Sequence, residues 1–362
     1  GNHNIAIGNY SLDAITTGTR NVGLGYQALT NLSSSADNVA IGVNAGADVT
    51  GAENTVVGAY AAYDATSITG CVAIGKGALQ GDGTTAPTGD YNIAIGNYSL
   101  DATTTGNKNV AVGHQAGSAM TDGIGNIAIG YNAMLAANAS EHYNVAIGHQ
   151  ALSAETSSAD GCVAIGYNAL LAQNRNASKN TAIGYQALTS LGSGVDDGGV
   201  QNTAVGYQAG ALGAIGGGTG AGDGDDNTMV GYRAGYAITT GADNTIMGSI
   251  AGDALDAGDS NVLIGRSAGG AITNNNGNVA VGAWALDAAA DSENYNVAVG
   301  FGAMGSETSG ADACVAVGLY ALTGQNANVK NTAIGGYAGE KIDDSTGNTF
   351  VGYYAGNETY QA

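Results

Sequence analysis

Three kinds of side chain in this 362-residue chain could do chemistry. Cys71, Cys162 and Cys314 could bridge or hold a metal. Acidic runs at 222–226 (GDGDD), Asp196–Asp197 and Asp343–Asp344 could bind calcium. Nineteen tyrosines and one tryptophan could stack on sugars, since each ring joins an apolar face to a polar handle. A catalytic reading needs convergent groups, and His114 and His149 are where a base would be sought. What converges depends on how the chain spaces these residues.

The spacing is set by a repeat. The nonapeptide NIAIGNYSL at 4–12 returns unchanged at 92–100, and alignment on its glycine gives twenty copies, from Gly8 to Gly352. Most steps are 17 or 18 residues; steps of 16, 21, 22 and 25 end at Gly58, Gly96, Gly206 and Gly231. Each unit reads Asn, Val/Ile/Thr, usually Ala, usually Ile/Val, Gly, two variable residues, Ala, then Leu or Gly. The residue three places after the glycine is Ala eighteen times and Ser twice. The block at 143–166 reappears in near copy at 295–318, which is growth by duplication.

So short a period makes each unit one coil of a solenoid. Apolar and small residues alternate within VAIG, the period of a strand. Val39 and Ile41 therefore point one way, and Asn38, Ala40 and Gly42 the other. The expected interior is the Val/Ile pair together with the Leu, Met or Gly four places after the glycine. That leaves Asn, Ala and Gly as a smooth outer face, the kind of surface neighbouring chains share. YQAL (26–29) is short enough for a second strand, and connectors such as DAITTGTR (13–20) carry turn chemistry. The expectation is an all-β, parallel β-solenoid (β-roll) of about 20 coils with a 17–18-residue repeat and no helices. It forms a single repeat domain over 1–362, with longer loops protruding at 80–91, 189–201 and 211–226. At ~4.8 Å per coil the stack reaches roughly 90 Å.

On this frame the cysteines do not meet. They lie five and eight coils apart, ~24 and ~38 Å on the coil spacing, beyond the ~7 Å reach of a disulfide. All three occupy the first position of the unit, where the other seventeen copies have Asn (Asn4, Asn21, Asn38, Asn92 and Asn109 among them). They read as small substitutes in an inward ladder, the alternative being a contact among three symmetry-related copies at a shared axis. The asparagines read as a structural row of stacked amides. Thirteen tyrosines fall in two columns. Tyr26, Tyr131, Tyr167, Tyr185, Tyr207, Tyr232 and Tyr353 lie one place after the glycine. Trp284 shares the second place with Tyr10, Tyr60, Tyr98, Tyr320, Tyr337 and Tyr354. This stripe is either a ligand surface or, more simply, a seal along an edge or interface. The acidic runs lack calcium-loop spacing and read as solvated loops. IGNYSL fits one hexapeptide of a left-handed acyltransferase helix, but it occurs once per coil rather than three times. No Ser–His–Asp set or metal cluster emerges, so no enzyme and no cofactor is expected. The scattered threonines do not form the column an ice-binding solenoid wants.

The repeat resembles the β-roll heads of bacterial trimeric autotransporter adhesins, where an AIG-centred unit recurs about once per coil. It is closer still to NTAIGYQAL-type repeats of phage tail fibres, as in 180–188 here. The resemblance covers essentially the whole chain and implies a homotrimer on a virion or bacterial surface. It carries neither the coiled-coil stalk and anchor of the first family nor the C-terminal chaperone of the second.

Composition narrows the partners. Thirty acidic residues against nine basic ones give a net charge of −21, which repels nucleic acid and anionic membrane. No apolar run approaches the ~18 residues of a membrane span. The functional expectation is a non-catalytic, extracellular fibre or adhesin segment, homo-oligomeric and most simply trimeric, presenting surface to a glycan or protein receptor. Both ends read as uncapped coils, which fits a segment of a longer chain or, as the alternative, a subunit of a filament built by end-on stacking.

Overall fold

A computed structural model of the chain describes residues 1–136, 141–154, 160–173, 178–191, 199–211, 215, 224–288, 293–306, 311–324, 330–342 and 346–357. They form a parallel β-solenoid of about twenty coils, with no helix among the described residues. Two compact units divide the chain, Gly1–Ser178 and Lys179–Ala362. Each stacks ten three-residue repeat strands, from Ile5–Ile7 to Val163–Ile165 in the first and from Thr181–Ile183 to Thr349–Val351 in the second. Within each unit successive strands pair in parallel and in register, as in Val22↔Val39, Gly23↔Ala40 and Leu24↔Ile41. Register survives unequal coil lengths: Thr203 still opposes Thr228 across the 25-residue step. The connectors absorb every insertion.

The chain closes each coil with left-handed residues. In the second coil these are Arg20, Gly25, Gln27 and Leu29, at φ of 58, 140, 54 and 51°. The expected second strand is absent, because residues 26–29 are a turn. Alternating backbone handedness sends successive N–H groups up and down the stack instead. Gln27 donates to the Asn9 carbonyl at 2.9 Å, and Leu29 to the Ala45 carbonyl at 3.1 Å. The Ala28 N–H instead bonds within its own coil, to the Gly25 carbonyl at 3.5 Å, so the block is tied both across coils and to itself without being extended. At the repeat glycine φ lies where L side chains do not go. A Cβ on Gly148 would also sit 2.7 Å from the carbonyl carbon of Gly166, and closer still to its oxygen.

The orientation of the strand is the reverse of the sequence expectation. Asn38 and Ala40 have no exposed surface, whereas Ile41 is 38% exposed and Val39 half-buried. In most coils a small residue faces in at the strand's middle, and the outward pair is aliphatic in thirteen coils and Thr with an aliphatic partner in the other seven. A 17-residue coil encloses room for a layer of small side chains plus one or two large ones, and the Leu at the fourth place after the glycine is one of these. Leu29, Leu79, Leu100 and Leu152 are all fully buried, as expected.

The bulk inside a coil does not always come from the same position. Where the fourth place is glycine, it arrives from elsewhere on the coil. Gly235 is covered by Met229 and Ile238, and Gly269 by Leu263 and Ile272. Gly46 and Gly117 meet Val49 and Met120 three places on. Close packing in so narrow a coil forces this compensation.

The buried asparagines form the ladder expected. The Asn21 Oδ1 accepts the Asn38 backbone N–H at 2.9 Å, and the Asn21 Nδ2 donates to the Ser35 carbonyl at 2.9 Å. The pattern repeats through Asn92, Asn109 and Asn126, where each Oδ1 accepts from the next coil's N–H at 2.9–3.0 Å. Asn4 begins it, accepting from Asn21 at 2.9 Å. These bonds satisfy backbone groups that burial would otherwise strand.

Two substitutions test this frame. Gly148→Ala should cost about 3 kcal/mol or more, through forbidden φ and a backbone clash. Asn109→Leu, which strands a buried N–H and a carbonyl, should cost about 2–4 kcal/mol, and Asn109→Cys distinctly less. Urea denaturation midpoints measure both, and an unshifted midpoint for Gly148→Ala would contradict the packing described.

Candidate functional site

The three cysteines sit inside the asparagine ladder, and Cys71 takes over the side-chain role. The Cys71 Sγ accepts the Asn92 backbone N–H at 3.4 Å and donates to the Gly89 carbonyl at 3.5 Å. Cys162 and Cys314 continue the ladder through their backbone, donating their N–H groups at 2.8 Å to the Asn144 and Asn296 Oδ1 respectively. All three are fully buried free thiols. Their sulfurs face the coil interior, so the alternative of a cysteine contact between chains has no access. Burial pushes the Cys71 thiol up to about 11.

The acidic connectors are also committed to structure. Asp or Asn two places before the ladder residue accepts an N–H from the coil before. Asp90 serves Thr69, Asp160 serves His142 and Asp312 serves Asn294, at 2.7–2.8 Å. Of the calcium candidates, Asp196–Asp197, Asp343–Asp344 and residues 222–223 lie outside the described residues. In the described part of GDGDD, Asp225 accepts from the Gly199 and Val200 N–H groups, both at 2.8 Å. Among the described residues no group of three or more His, Cys, Asp or Glu is placed to hold a metal ion. The loop at 80–91 is exposed over 82–85, and Asp82 Oδ1 accepts the N–H groups of Thr84 and Thr85 at 2.8 and 2.6 Å.

The tyrosine stripe separates into distinct arrangements. In the first unit Tyr131 and Tyr167 join His114 and His149 in one face-to-face stack. Its centroid spacings are 5.4, 5.1 and 5.3 Å, with planes within 21° of parallel. Here the two histidines are members of an aromatic column. In the second unit Tyr185, Tyr207 and Tyr232 stack at 5.1 and 5.5 Å. Each interior ring has its faces covered by its neighbours, which leaves edges and hydroxyl tips to solvent. Beside this second column runs an amide one, in which Gln208 Nε2 donates to Gln186 Oε1 at 2.9 Å. Tyr26 meets Tyr10 edge-on at 6.1 Å, and Tyr353 packs with Tyr354 at 4.4 Å.

Several tyrosines outside the two columns have a different explanation. Tyr91, Tyr143 and Tyr295 each lay a ring over a glycine one coil earlier, Gly70, Gly125 and Gly277. Column alignment of the sequence would have found these pairs, because each tyrosine shares its repeat position with the glycine beneath.

Trp284 stands apart. The Arg266 guanidinium lies 5.2 Å from its ring centre, and Phe301 meets it at 4.9 Å and 76°. Phe301 in turn meets Tyr320 at 5.4 Å and 87°. These rings are crossed, not stacked, and they border a cleft of about 390 Å³ together with Asp287, Gly302, Gly305 and Ser306.

The largest surface is the outward sheet face. The column just before the glycine is Ile, Val, Leu or Met in all twenty coils, and the column two residues earlier is β-branched in all twenty. Ile74, Ile129, Ile183 and Met247 are among its exposed members. No helix of the described residues is long and apolar enough to cross a membrane. No family model matches this chain, and no curated protein matches it.

Two expectations follow. None of the three thiols should react with a thiol reagent at about pH 8 in the folded protein, and all three should react on unfolding; a fast native reaction would contradict their burial. Burial raises Asp101, Asp253 and Asp287 above the ordinary carboxylate range, Asp101 despite a 2.6 Å bond from the Ser118 hydroxyl. Stability from such groups is fully present below the ordinary carboxylate range and is lost as pH rises through their elevated folded values. The melting temperature should therefore be higher at about pH 4, near the ordinary carboxylate value, than at pH 7. Calorimetry at the two values checks the sign.

Proposed function

We propose that this chain is a non-catalytic segment of an extracellular fibre on a virion or bacterial surface. Three copies pack side by side and hold receptor-binding surface away from the particle or cell. One observation carries the reading: the outward aliphatic face. Ten strands at ~4.8 Å and three residues at ~3.3 Å give roughly 480 Å² of it on each unit. A patch of that size is about as large as a soluble monomer carries, and such patches are commonly used for contact. The partnered surface is thus the Val/Ile side, and the Asn/Ala/Gly side is core. Three equal copies around one axis bury that face without leaving a free edge. The stacked aromatic columns adjoin this face and would extend the seal at its border. Repetition around the axis multiplies any receptor contact, which raises avidity without new chemistry.

The native mass should be three times the 35.3 kDa chain. Ile74→Lys combined with Ile129→Lys should return it to one chain mass with an unchanged circular dichroism spectrum, since both side chains point outward. Light scattering behind size exclusion reads the mass. A stable, soluble wild-type monomer would end this reading, and long filaments in the electron microscope would replace it with end-on assembly.

A further inference from the structure

We infer that copies of this chain grip one another at Phe301 and Leu319, in the second unit. The inference deepens the side-by-side reading and rests on it, and it starts from charge. The outward side of the coils holds three ranks: the two columns of the strand's outward pair and the column one place after the repeat glycine. Together they are sixty positions, and none of the thirty acidic residues of the chain occupies one. The two charged residues they do hold are cations, Lys76 and Arg266. Copies that each carry a net charge of −21 repel one another. Close approach is therefore favoured on the side that carries no acid. In copies arranged about one axis along the stack, residues of equal height meet, so a block on one copy is covered by the next.

The third rank decides where the contact is tightest. In most coils it ends the dry strip, because tyrosine there presents a hydroxyl that needs a partner, and histidine, asparagine, serine and the two cations are polar outright. From Gly282 to Gly318 its three successive residues are Ala283, Phe301 and Leu319. With Val297, Val299, Val315 and Val317 beside them, Phe301 and Leu319 form a block that is apolar across all three ranks. The two are 40 and 42% exposed. Phe301 is also held in place. Trp284 from the coil before meets it at 4.9 Å and 76°, and Tyr320 from the coil after at 5.4 Å and 87°. Tyr320 is itself seated on Gly302, where its ring takes the room of a side chain. Arg266, two coils earlier in the same rank, lies over the Trp284 ring, 5.2 Å from its centre. A large apolar side chain that is already fixed loses little freedom on contact, which is the character of an interface anchor. The nearest counterpart in the first unit is Val43, 46% exposed, with only Ala59 beside it in the next coil.

Trp284 is the single tryptophan of the chain and packs on Phe301, so its fluorescence reports this block. The native mass of the full chain is followed along a dilution series, with urea added in small steps where dilution alone does not separate the copies. Trp284 emission is read on the same samples. The expected result is a shift of that emission to longer wavelength, with the same midpoint as the fall in mass. Phe301→Ala should raise the concentration of half-dissociation about tenfold or more, and Val43→Ala, in the same rank, less than about threefold. Because truncating Phe301 also loosens Trp284 and Tyr320, Leu319→Gln serves as the second variant: it keeps the length and leaves the rings alone, and it should also act about tenfold or more. Circular dichroism checks that each variant is folded. An emission that stays put while the mass falls, a midpoint indifferent to Phe301→Ala and Leu319→Gln, or one that Val43→Ala moves as far would overturn the inference and leave the trimer standing. A wild-type chain of single mass at every concentration would remove the trimer, and the anchor with it.

Discussion

Everything in this structure answers to one constraint: the backbone of each coil must find its hydrogen-bond partners in the coils above and below, in a space too narrow for water. The strands satisfy their share. At the corner before each strand the chain cannot, and the asparagine side chain does it instead, with its carbonyl oxygen taking the next coil's N–H and its amide reaching a connector carbonyl. Asparagine is a poor strand former, and its presence at seventeen of twenty first positions makes sense only as this internal brace. Cysteine takes the place three times because its sulfur is both a weak acceptor and a weak donor at nearly the same location. A buried amide row is costly if half satisfied and rigid if complete. Among the rungs followed here, it is complete.

A core so thin inverts the usual arrangement. With only one or two large side chains per coil, the interior is mostly alanine, asparagine and glycine, and the β-branched residues on either side of the strand's middle position are displaced to the outside. The exposed aliphatic columns are thus a by-product of coil size before they are anything else. The molecule then has a hydrophobic face it cannot cover alone, which is the physical root of the oligomer proposed here.

The period, the parallel stacking, the glycine requirement and the amide row were all legible in the sequence. Each rests on a residue type recurring at one position, and twenty repetitions make such columns plain. Which side of the strand faces inward was not legible. An alternation of Val39 and Ile41 with Asn38 and Ala40 is the same pattern whichever side is in. The general preference for burying Val and Ile over Asn pointed the wrong way, because it takes no account of how little volume a 17-residue coil encloses. The turn at 26–29 was missed because left-handed Gln27 and Leu29 carry no special sequence mark. The stripe of aromatic residues was visible as a column, but not its division into closed stacks and one open cluster. Ring packing depends on the neighbours in the coils above and below, and a column of letters does not say whether two rings meet face to face or edge on.

The unequal coil lengths carry a consequence of their own. A step of 25 residues leaves the strands on either side as well aligned as a step of 17. Core and ornament are therefore decoupled: segments can lengthen at a connector while every rung keeps its partner. The stack behaves as a rack with pegs at a pitch of ~4.8 Å, on which new sequence can be hung without renegotiating what lies behind it. Variation in what such a surface presents can accumulate at the connectors, quickly and at little thermodynamic penalty.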